Sequence, residues 1–316
     1  MADRAGRESE FVGRQGAPSL AGIMIAHNKK LGLALGLAGV CLFAGTLPAT
    51  RLAVATINPL FLTAARAALA GCAGAILLLV LRRPLPPRVE WGTIVLGGFC
   101  TIVGFPVFTA LAMVSVPAAH GGVVLGIMPL ATAGAAAIVA RERPSAGFWL
   151  AGVAGAAIVI AFVLSRREAR TFAIGDVYLL ITVLAGAFGY ALSGRLSIKM
   201  PGWEVVSWQV TAFLPLSVLA SFALWPPDLA AAPPAAWAGL AYVSFISQFF
   251  AFFVFNAAMA MIGVARVGQL MLLQPFVIVL LAVPVNGESI RLTTLAYAAA
   301  VVAVVVIGQR MRVRHD

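Results

Sequence analysis

The chain has 316 residues, of which 62% are hydrophobic and 10% are charged, and its mean hydropathy is +1.01. Soluble domains carry about 25% charged residues, so this composition excludes an ordinary soluble domain and predicts a membrane protein. The formal net charge of +11 could indicate a nucleic-acid partner, but the placement of the basic residues described below indicates a lipid bilayer instead.

Apolar segments follow one another along almost the whole chain. Each is near the length of about 20 helical residues that crosses a hydrocarbon core, and none shows the short alternating pattern of barrel strands. In chain order they are 31–50, 59–81, 91–116, 118–140, 145–165, 174–194, 203–225, 235–262, 264–285 and 292–309. The sequence therefore predicts an all-α membrane protein with ten transmembrane helices.

The ten segments form two sets of five. Shifting the first five starting positions by 146 residues brings each within three residues of a start in the second set. An odd number of spans per repeat inverts the second copy in the membrane, and inverted repeats are typical of secondary transporters. We therefore predict a first repeat over 29–165, a linker over 166–173 and a second repeat over 174–311. Residues 1–28 are polar and predict a disordered tail.

Lys29, Lys30 and the apolar segment 31–50 partly imitate a secretory signal peptide. The internal duplication argues against cleavage, because the span at 174–194 needs a retained counterpart in the first half. We therefore expect the first span to remain in the protein.

The basic residues are distributed unequally between the two predicted faces. With the N-terminus inside, 16 of the 22 lysines and arginines lie on the cytoplasmic side and five on the other, while Arg66 lies within a span. This asymmetry predicts a multi-pass protein of the inner (plasma) membrane with both termini in the cytoplasm. The cluster Arg166, Arg167 and Arg170 runs against the rule, and nothing in the sequence explains it.

The residues that carry metal or cofactor chemistry are sparse. The three histidines and three cysteines lack the spacing of a metal clamp or a disulfide framework, and the sequence has no Walker loop. We expect no metal, no cofactor and no enzymatic activity. The partners that we expect are a small-molecule substrate and the lipid bilayer, with no nucleic acid, and the protein as a monomer or a homodimer.

The fourth and ninth spans match each other most closely. At the 146-residue shift, Pro129 aligns with Pro275 and Glu142 with Glu288. A proline inside a helix removes a backbone hydrogen bond and kinks it, and paired kinks in corresponding helices indicate a site at the interface of the repeats. The alternative is that these prolines are only packing bends. The glutamates could pair with nearby arginines at helix ends or take part in gating.

The order of these short motifs resembles the drug/metabolite transporter superfamily, and in particular its ten-span members built from two EamA-type repeats. The matching motifs are Pro117-Ala118-Ala119, Met128-Pro129-Leu130 and Arg141-Glu142-Arg143 in the first half, and Val264-Ala265, Gln274-Pro275-Phe276 and Gly287-Glu288-Ser289 in the second. The resemblance implies an inner-membrane carrier that works by alternating access, with a central cavity lined by helices 1, 3, 4, 6, 8 and 9. Many such proteins export amino acids or related metabolites, and others move vitamins, nucleosides or drugs.

One feature departs from the four-helix multidrug relatives, which use a glutamate in the first span to exchange protons for cationic drugs. The first span here contains no acidic residue, and its counterpart at 174–194 has only Asp176 at its edge. Neither proton coupling through a carboxylate at mid-membrane nor a negatively charged drug site is therefore supported.

The candidate substrate-binding residues are the polar side chains predicted at lipid depth. Arg66 is either paired or functional there, or extends its charge to the outer surface. His120 could titrate near neutral pH or be an ordinary interfacial histidine. The amides could bind substrate or only bridge helices, and Gln274, beside Pro275, is the preferred contact. The full set of candidates is Gln274, Gln248, Asn256, Tyr190, Gln269, Arg66 and His120.

Three classes of function follow from these observations. The preferred class is a secondary transporter that exports small metabolites, such as amino acids or related polar and amphipathic solutes, by alternating access. The alternative is an exporter of drugs or toxic compounds, for which the aromatic helix faces are suited. A membrane enzyme is disfavoured, because no paired carboxylates, histidine cluster or serine–base pair is visible at lipid depth.

Overall fold

A computed structural model describes residues 29–116, 118, 121, 124–139, 142–164, 174–286, 292–310 and 313–315. Within these residues the chain forms ten helical segments, named α1 to α10, which coincide with the ten apolar segments of the sequence. In chain order they are Lys29–Val54, Pro59–Val80, Arg88–Ser115, Leu125–Val139, Ala146–Leu164, Ile174–Ser197, Gly202–Ala223, Pro234–Ile262, 264–286 and Leu292–Arg310.

The prediction of a helical fold with apolar helices is confirmed for these residues, apart from one small sheet described below. Six segments, α1, α2, α3, α6, α7 and α8, are long and apolar enough to cross a membrane, and three shorter apolar helices are Leu125–Val139, Ala146–Ile158 and Val264–Ile278. Large apolar side chains on the outside of the bundle, such as Leu79, Leu219 and Phe222, are more than half exposed. Such a surface suits contact with lipid rather than water.

Five of the ten segments are not uniform α-helices. Gly45 divides α1, 3-10 turns interrupt α4 and α9, and π-helical stretches interrupt α3 and α8. The component pieces are Lys29–Ala44 and Thr46–Val54 in α1; Arg88–Glu90, Trp91–Gly98, Phe99–Gly104 and Phe105–Ser115 in α3; Leu125–Ile127 and Met128–Val139 in α4; Pro234–Ala241, Tyr242–Phe250 and Ala251–Ile262 in α8; and Val264–Leu270, Met271–Leu273 and Gln274–Asn286 in α9. A separate 3-10 turn, Leu229–Ala231, lies between α7 and α8.

These irregularities repeat with the same 146-residue shift as the sequence. The 3-10 turn at Leu125–Ile127 maps onto Met271–Leu273, and the π-helix Phe99–Gly104 maps into Tyr242–Phe250. Each 3-10 turn begins four residues before a proline, Pro129 or Pro275. Because proline has no N–H, the carbonyl of the first residue of the turn lacks its α-helical hydrogen-bond partner. The two prolines thus distort α4 and α9 at corresponding depths.

Helix packing has the same internal symmetry. The closest neighbours across the two halves are α1 with α8 and α3 with α6, while α2 packs on α7, α4 on α9 and α5 on α10. Exchanging each helix for its counterpart five places along the chain reproduces the same set of contacts. The centre of the bundle is therefore a junction between the two halves, where α1, α3, α6 and α8 meet.

Two short strands form one small antiparallel sheet that the sequence analysis did not predict. Strand β1, Glu142–Pro144, pairs with β2, Val313–His315, and Glu142 lies opposite His315. The pairing brings the connection after α4 and the segment after α10 to the same end of the bundle, where the charge distribution also predicts both to lie.

The tail 1–28 and the linker 166–173 lie outside the described residues, as does the arginine cluster at 166, 167 and 170.

Candidate functional site

A small cavity lies at the junction of the two halves. Its walls come from α1, α2, α3, α6 and α8, and in the described conformation its free volume is about 10 Å³, room for about one water molecule. The lining residues are Phe43, Arg66, Thr101, Phe105, Gly186, Tyr190, Ser247, Gln248 and Phe252. Three of the sequence-predicted candidates, Arg66, Tyr190 and Gln248, are thus brought together from three different helices.

Arg66 supplies the positive charge of this cavity. Helix α2 begins at Pro59, and the Oδ1 atom of Asn58 caps it by accepting hydrogen bonds from the backbone N–H groups of Leu60 at 2.9 Å and Phe61 at 3.2 Å. Seven residues after Pro59, the side chain of Arg66 is only 3% exposed. The possibility that Arg66 extends to the outer surface is therefore excluded, because its side chain points into the protein.

The guanidinium of Arg66 lacks a full set of partners. Its Nε atom is buried and makes no hydrogen bond to any part of the chain that the structure describes. Tyr190, which lines the same cavity, is close enough for an electrostatic interaction with Arg66. A buried arginine normally forms several hydrogen bonds, because it carries five donors and cannot readily lose its charge.

Aromatic rings form the apolar wall of the cavity. The ring of Phe43 lies 6.1 Å from that of Tyr190 and 5.0 Å from that of Phe252, and Phe255 packs behind them at 5.1 Å from Tyr190. These four residues come from α1, α6 and α8, so the wall closes only when both halves pack together. From α8, Gln248 and Phe252 line the cavity.

The position of Gln248 follows from the π-helix in α3. There the N–H of Phe105 bonds to the carbonyl of Cys100, one residue earlier than in an α-helix, and Pro106 has no N–H to offer. The carbonyl of Thr101 therefore has no backbone donor from its own helix. The Nε2 atom of Gln248 donates to this carbonyl at 3.2 Å across the helix interface.

A second polar contact joins α1 to α8 beside the cavity. The hydroxyl groups of Thr46 and Ser247 are 2.7 Å apart and hydrogen-bonded. The hydroxyl of Thr101 donates to the carbonyl of Gly97 at 2.9 Å. The sequence analysis did not single out Thr101 or Ser247. The only signal was Pro106, which lies five residues after Thr101 and frees its carbonyl.

The other amide candidates bridge helices and do not line this cavity. The side-chain nitrogen of Gln274 donates to the carbonyl of Phe43 at 3.4 Å, and that of Gln269 to the carbonyl of Phe148 at 3.3 Å. The Nδ2 atom of Asn256 donates to the carbonyl of Gly202 at 3.2 Å. All three side chains are buried, so this geometry corresponds to the helix-bridging alternative considered for such amides.

The remaining candidates fall largely outside what the structure describes. His120 and Glu288 lie outside the described residues, and Glu142 is described only through its backbone in β1. Pro129 and Pro275 are buried in α4 and α9 behind the 3-10 turns already noted.

Ion pairs lie at one end of the bundle, away from the cavity. Arg83, after α2, pairs with Glu204 at the start of α7 at 3.2 Å, and its guanidinium lies 5.0 Å from the ring centroid of Trp203. Lys199, after α6, pairs with Glu90 at the start of α3. These contacts join the α2–α3 connection of the first half to the α6–α7 connection of the second half.

Comparison with known proteins agrees with the two-repeat architecture. The model of the EamA-like transporter family matches twice, over residues 30–165 and 173–308. An uncharacterized transporter of Bacillus subtilis (strain 168), YdeK, is 38% identical over 275 residues, which cover 87% of this chain and 96% of that protein.

A crystal structure of a protein superimposes with a TM-score of 0.70 at 21% identity, covering 89% of this chain and 98% of its own. At this identity the likeness concerns the fold alone. The assignment to a family rests on the two family matches, each of which spans one half of the bundle, and on the similar transporter. The chain is a multi-pass membrane protein that belongs to the EamA-like transporter family of the drug/metabolite transporter superfamily.

Proposed function

We propose that this protein is a secondary transporter that exports small polar or amphipathic metabolites, amino acids or their relatives, by alternating access. The observation that carries this proposal is the cavity between the two halves, which combines a buried arginine with a wall of aromatic rings. Small-molecule sites have this combination of an apolar lining and a few placed polar groups. Location at the interface of two repeats is typical of secondary transporters.

The proposed arrangement in the membrane has ten spans, with the second repeat inverted and both termini in the cytoplasm of the inner (plasma) membrane. Under this arrangement the Arg83–Glu204 and Lys199–Glu90 pairs lie at the cytoplasmic end. In this proposal they help to close that end, and opening would separate the α2–α3 connection from the α6–α7 connection. We propose that the monomer contains the complete transport path, whether or not two copies associate.

Export of cationic drugs is the weaker alternative. The aromatic wall would suit an apolar drug, but the charge inside the cavity is that of Arg66, and no lining residue is acidic. A cation would therefore meet a like charge in a region of low dielectric, which is unfavourable.

Exchange of solute in proteoliposomes tests the proposal. Purified protein is reconstituted in vesicles loaded with a mixture of unlabelled amino acids and organic acids, and the uptake of each labelled solute is followed. We expect countertransport of at least one solute above the level of protein-free vesicles. If no solute in the mixture exchanges although the protein is folded and inserted, transport of this class is refuted.

A cavity-filling variant links the flux to the site. Gly186→Leu places a side chain between Met128 and Phe105, each 2.9 Å from the position of an added Cβ. The matched control is Gly152→Leu, whose Cβ would meet nothing within 4 Å. We expect Gly186→Leu to abolish exchange and Gly152→Leu to preserve it. Equal flux in the two variants would show that the solute takes another path.

A further inference from the structure

We infer that the transported solute carries a single carboxylate, which binds Arg66, attached to an apolar body that packs against the aromatic wall. This inference rests on the proposed transport function and specifies the substrate class of the same cavity. It follows from four features of the site: its charge, its unused donors, its engaged polar groups and its aromatic wall.

The charge of the cavity is not neutralised by the protein side chains that the structure describes. Glu90 and Glu204 are paired with Lys199 and Arg83 at the end of the bundle. Asp176 lies in the first turn of α6, fourteen residues before Tyr190, or about 21 Å along the helix. A buried cation without a counter-ion is costly at lipid depth, and a bound anion would supply the missing charge.

The donors of the cavity match a carboxylate. The Nε atom of Arg66 has no hydrogen-bond partner among the described residues. A guanidinium presents parallel N–H groups in a planar fork that fits the two oxygens of a carboxylate. Tyr190, beside Arg66, can donate a further hydrogen bond to the same group.

The other polar side chains of the lining each make a hydrogen bond within the protein. The amide nitrogen of Gln248 donates to the Thr101 carbonyl, and the hydroxyl of Ser247 is bonded to Thr46. The polar contacts offered to a solute are therefore concentrated at Arg66 and Tyr190, on one side of the cavity.

The remaining surface of the site defines the rest of the solute. The other large lining side chains are the rings of Phe43, Phe105 and Phe252. In the described conformation the space between them has a volume of about 10 Å³, room for about one water molecule, so a solute enters only where the walls move apart. One cationic residue balances one negative charge, so a monocarboxylate fits better than a phosphate dianion, which would keep an uncompensated charge.

No lining residue offers a counter-charge to an ammonium group. The carboxylate is therefore the required group of the solute, and an ammonium group contributes little to binding. An amino acid would bind through its carboxylate and side chain, and the matching acid without the amino group should bind at least as tightly.

A matched ligand series tests this assignment in purified protein. 3-Phenylpropionate has the carboxylate and the apolar body, 3-phenylpropanamide replaces the charge by a neutral amide, and phenethylamine carries the opposite charge. Binding is measured by calorimetry and by the shift of the thermal unfolding midpoint. We expect 3-phenylpropionate to bind at least tenfold more tightly than either of the other two, and L-phenylalanine no more tightly than 3-phenylpropionate.

Variants connect the preference to Arg66. Arg66→Gln should weaken the binding of 3-phenylpropionate at least tenfold and leave that of the amide unchanged, while Arg66→Lys should recover part of the loss. Tyr190→Phe, which keeps the ring, should weaken only the acid, and by less than Arg66→Gln. The matched control is Arg195→Gln, because Arg195 is exposed in the last turn of α6 and its loss should change nothing.

The outcomes separate this inference from the proposed function. If the folded Arg66→Gln variant binds the acid like the unmodified protein, or if the unmodified protein binds the amide as tightly as the acid, the carboxylate assignment is overturned. Exchange of a neutral or cationic solute in vesicles would then still support transport. Binding of the acid through Arg66 without exchange of any solute would support the assignment and refute transport.

Discussion

Replacement of Gly263 by alanine should destabilise the protein, because this residue joins α8 to α9 in a conformation that side chains avoid. Its backbone angles are φ 87° and ψ 151°, in a region that is almost exclusive to glycine. Its N–H also donates to the carbonyl of Met259 at 3.0 Å, so the backbone cannot rotate away from this conformation without losing a bond. Such strain costs on the order of 1–3 kcal/mol.

The assay is reversible unfolding of purified protein in mixed detergent micelles with increasing SDS, followed by tryptophan fluorescence. Gly134→Ala is the matched control, because Gly134 lies inside the helix Met128–Val139 and an added Cβ would meet nothing within 4 Å. That control should be more stable by up to about 1 kcal/mol, since alanine is the better helix former. The two alanine variants should therefore shift the unfolding transition in opposite directions.

The Gly263→Asn variant tests whether the backbone conformation at this position causes the destabilisation. Asparagine tolerates the left-handed helical region, but that region requires ψ near +50°, far from the 151° found here. Gly263→Asn should therefore be as unstable as Gly263→Ala. If Gly263→Ala unfolds at the same SDS fraction as the unmodified protein, the chain does not need glycine here and the reasoning is refuted.

Three further predictions concern helix contacts. Asn256→Ala should lower the free energy of unfolding by only about 0.6 kcal/mol, the average for such bonds in membranes, as measured by the same SDS titration; a loss above ~2 kcal/mol would contradict this. Gly74→Val should lower the free energy of unfolding by about 1–3 kcal/mol through overpacking, because an added Cβ would lie 2.5 Å from a methyl group of α7. Its control, Gly152→Val, should leave the unfolding transition unchanged. Glu90→Gln should lower the free energy of unfolding by less than about 1 kcal/mol, because the side chain of its partner Lys199 is 48% exposed. The difference from the unmodified protein should shrink in 1 M salt, which screens exposed charges. A difference that persists in 1 M salt would show that the pair is buried in the membrane protein.

The helices and their duplication could be predicted from the amino-acid sequence because both depend on local composition. A segment of about 20 apolar residues must satisfy its own backbone hydrogen bonds in lipid, and a helix does so without partners. The described helices α1 to α10 begin and end close to the predicted segments. The prolines at 129 and 275 also marked the helix distortions, since the missing N–H is a property of the residue itself.

The small sheet and the π-helices were not predicted. The strand β1 and its partner β2 are three residues each and lie more than 160 positions apart in the chain, so no local pattern relates them. The π-helix in α3 involves Pro106, but whether a proline produces a kink, a 3-10 turn or a π-helix depends on the neighbouring helices that receive the freed carbonyls.

The roles of the polar residues were decided only by the tertiary structure. From the sequence, Arg66 could face outward or inward, and Gln274, beside Pro275, was preferred to Gln248 as the substrate contact. Packing turns Arg66 toward the junction of the two halves, sets Gln248 against the free carbonyl of Thr101, and places Gln274 on the carbonyl of Phe43.

Hydropathy along the chain thus determined which segments are helices and that they occur in two copies, because each segment meets the requirements of a bilayer by itself. The orientation of each helix about its axis, and with it the residues that line the cavity, depends on contacts between helices of different halves. Those contacts join residues as far apart as Thr46 and Ser247, and they exist only once the two repeats have packed together.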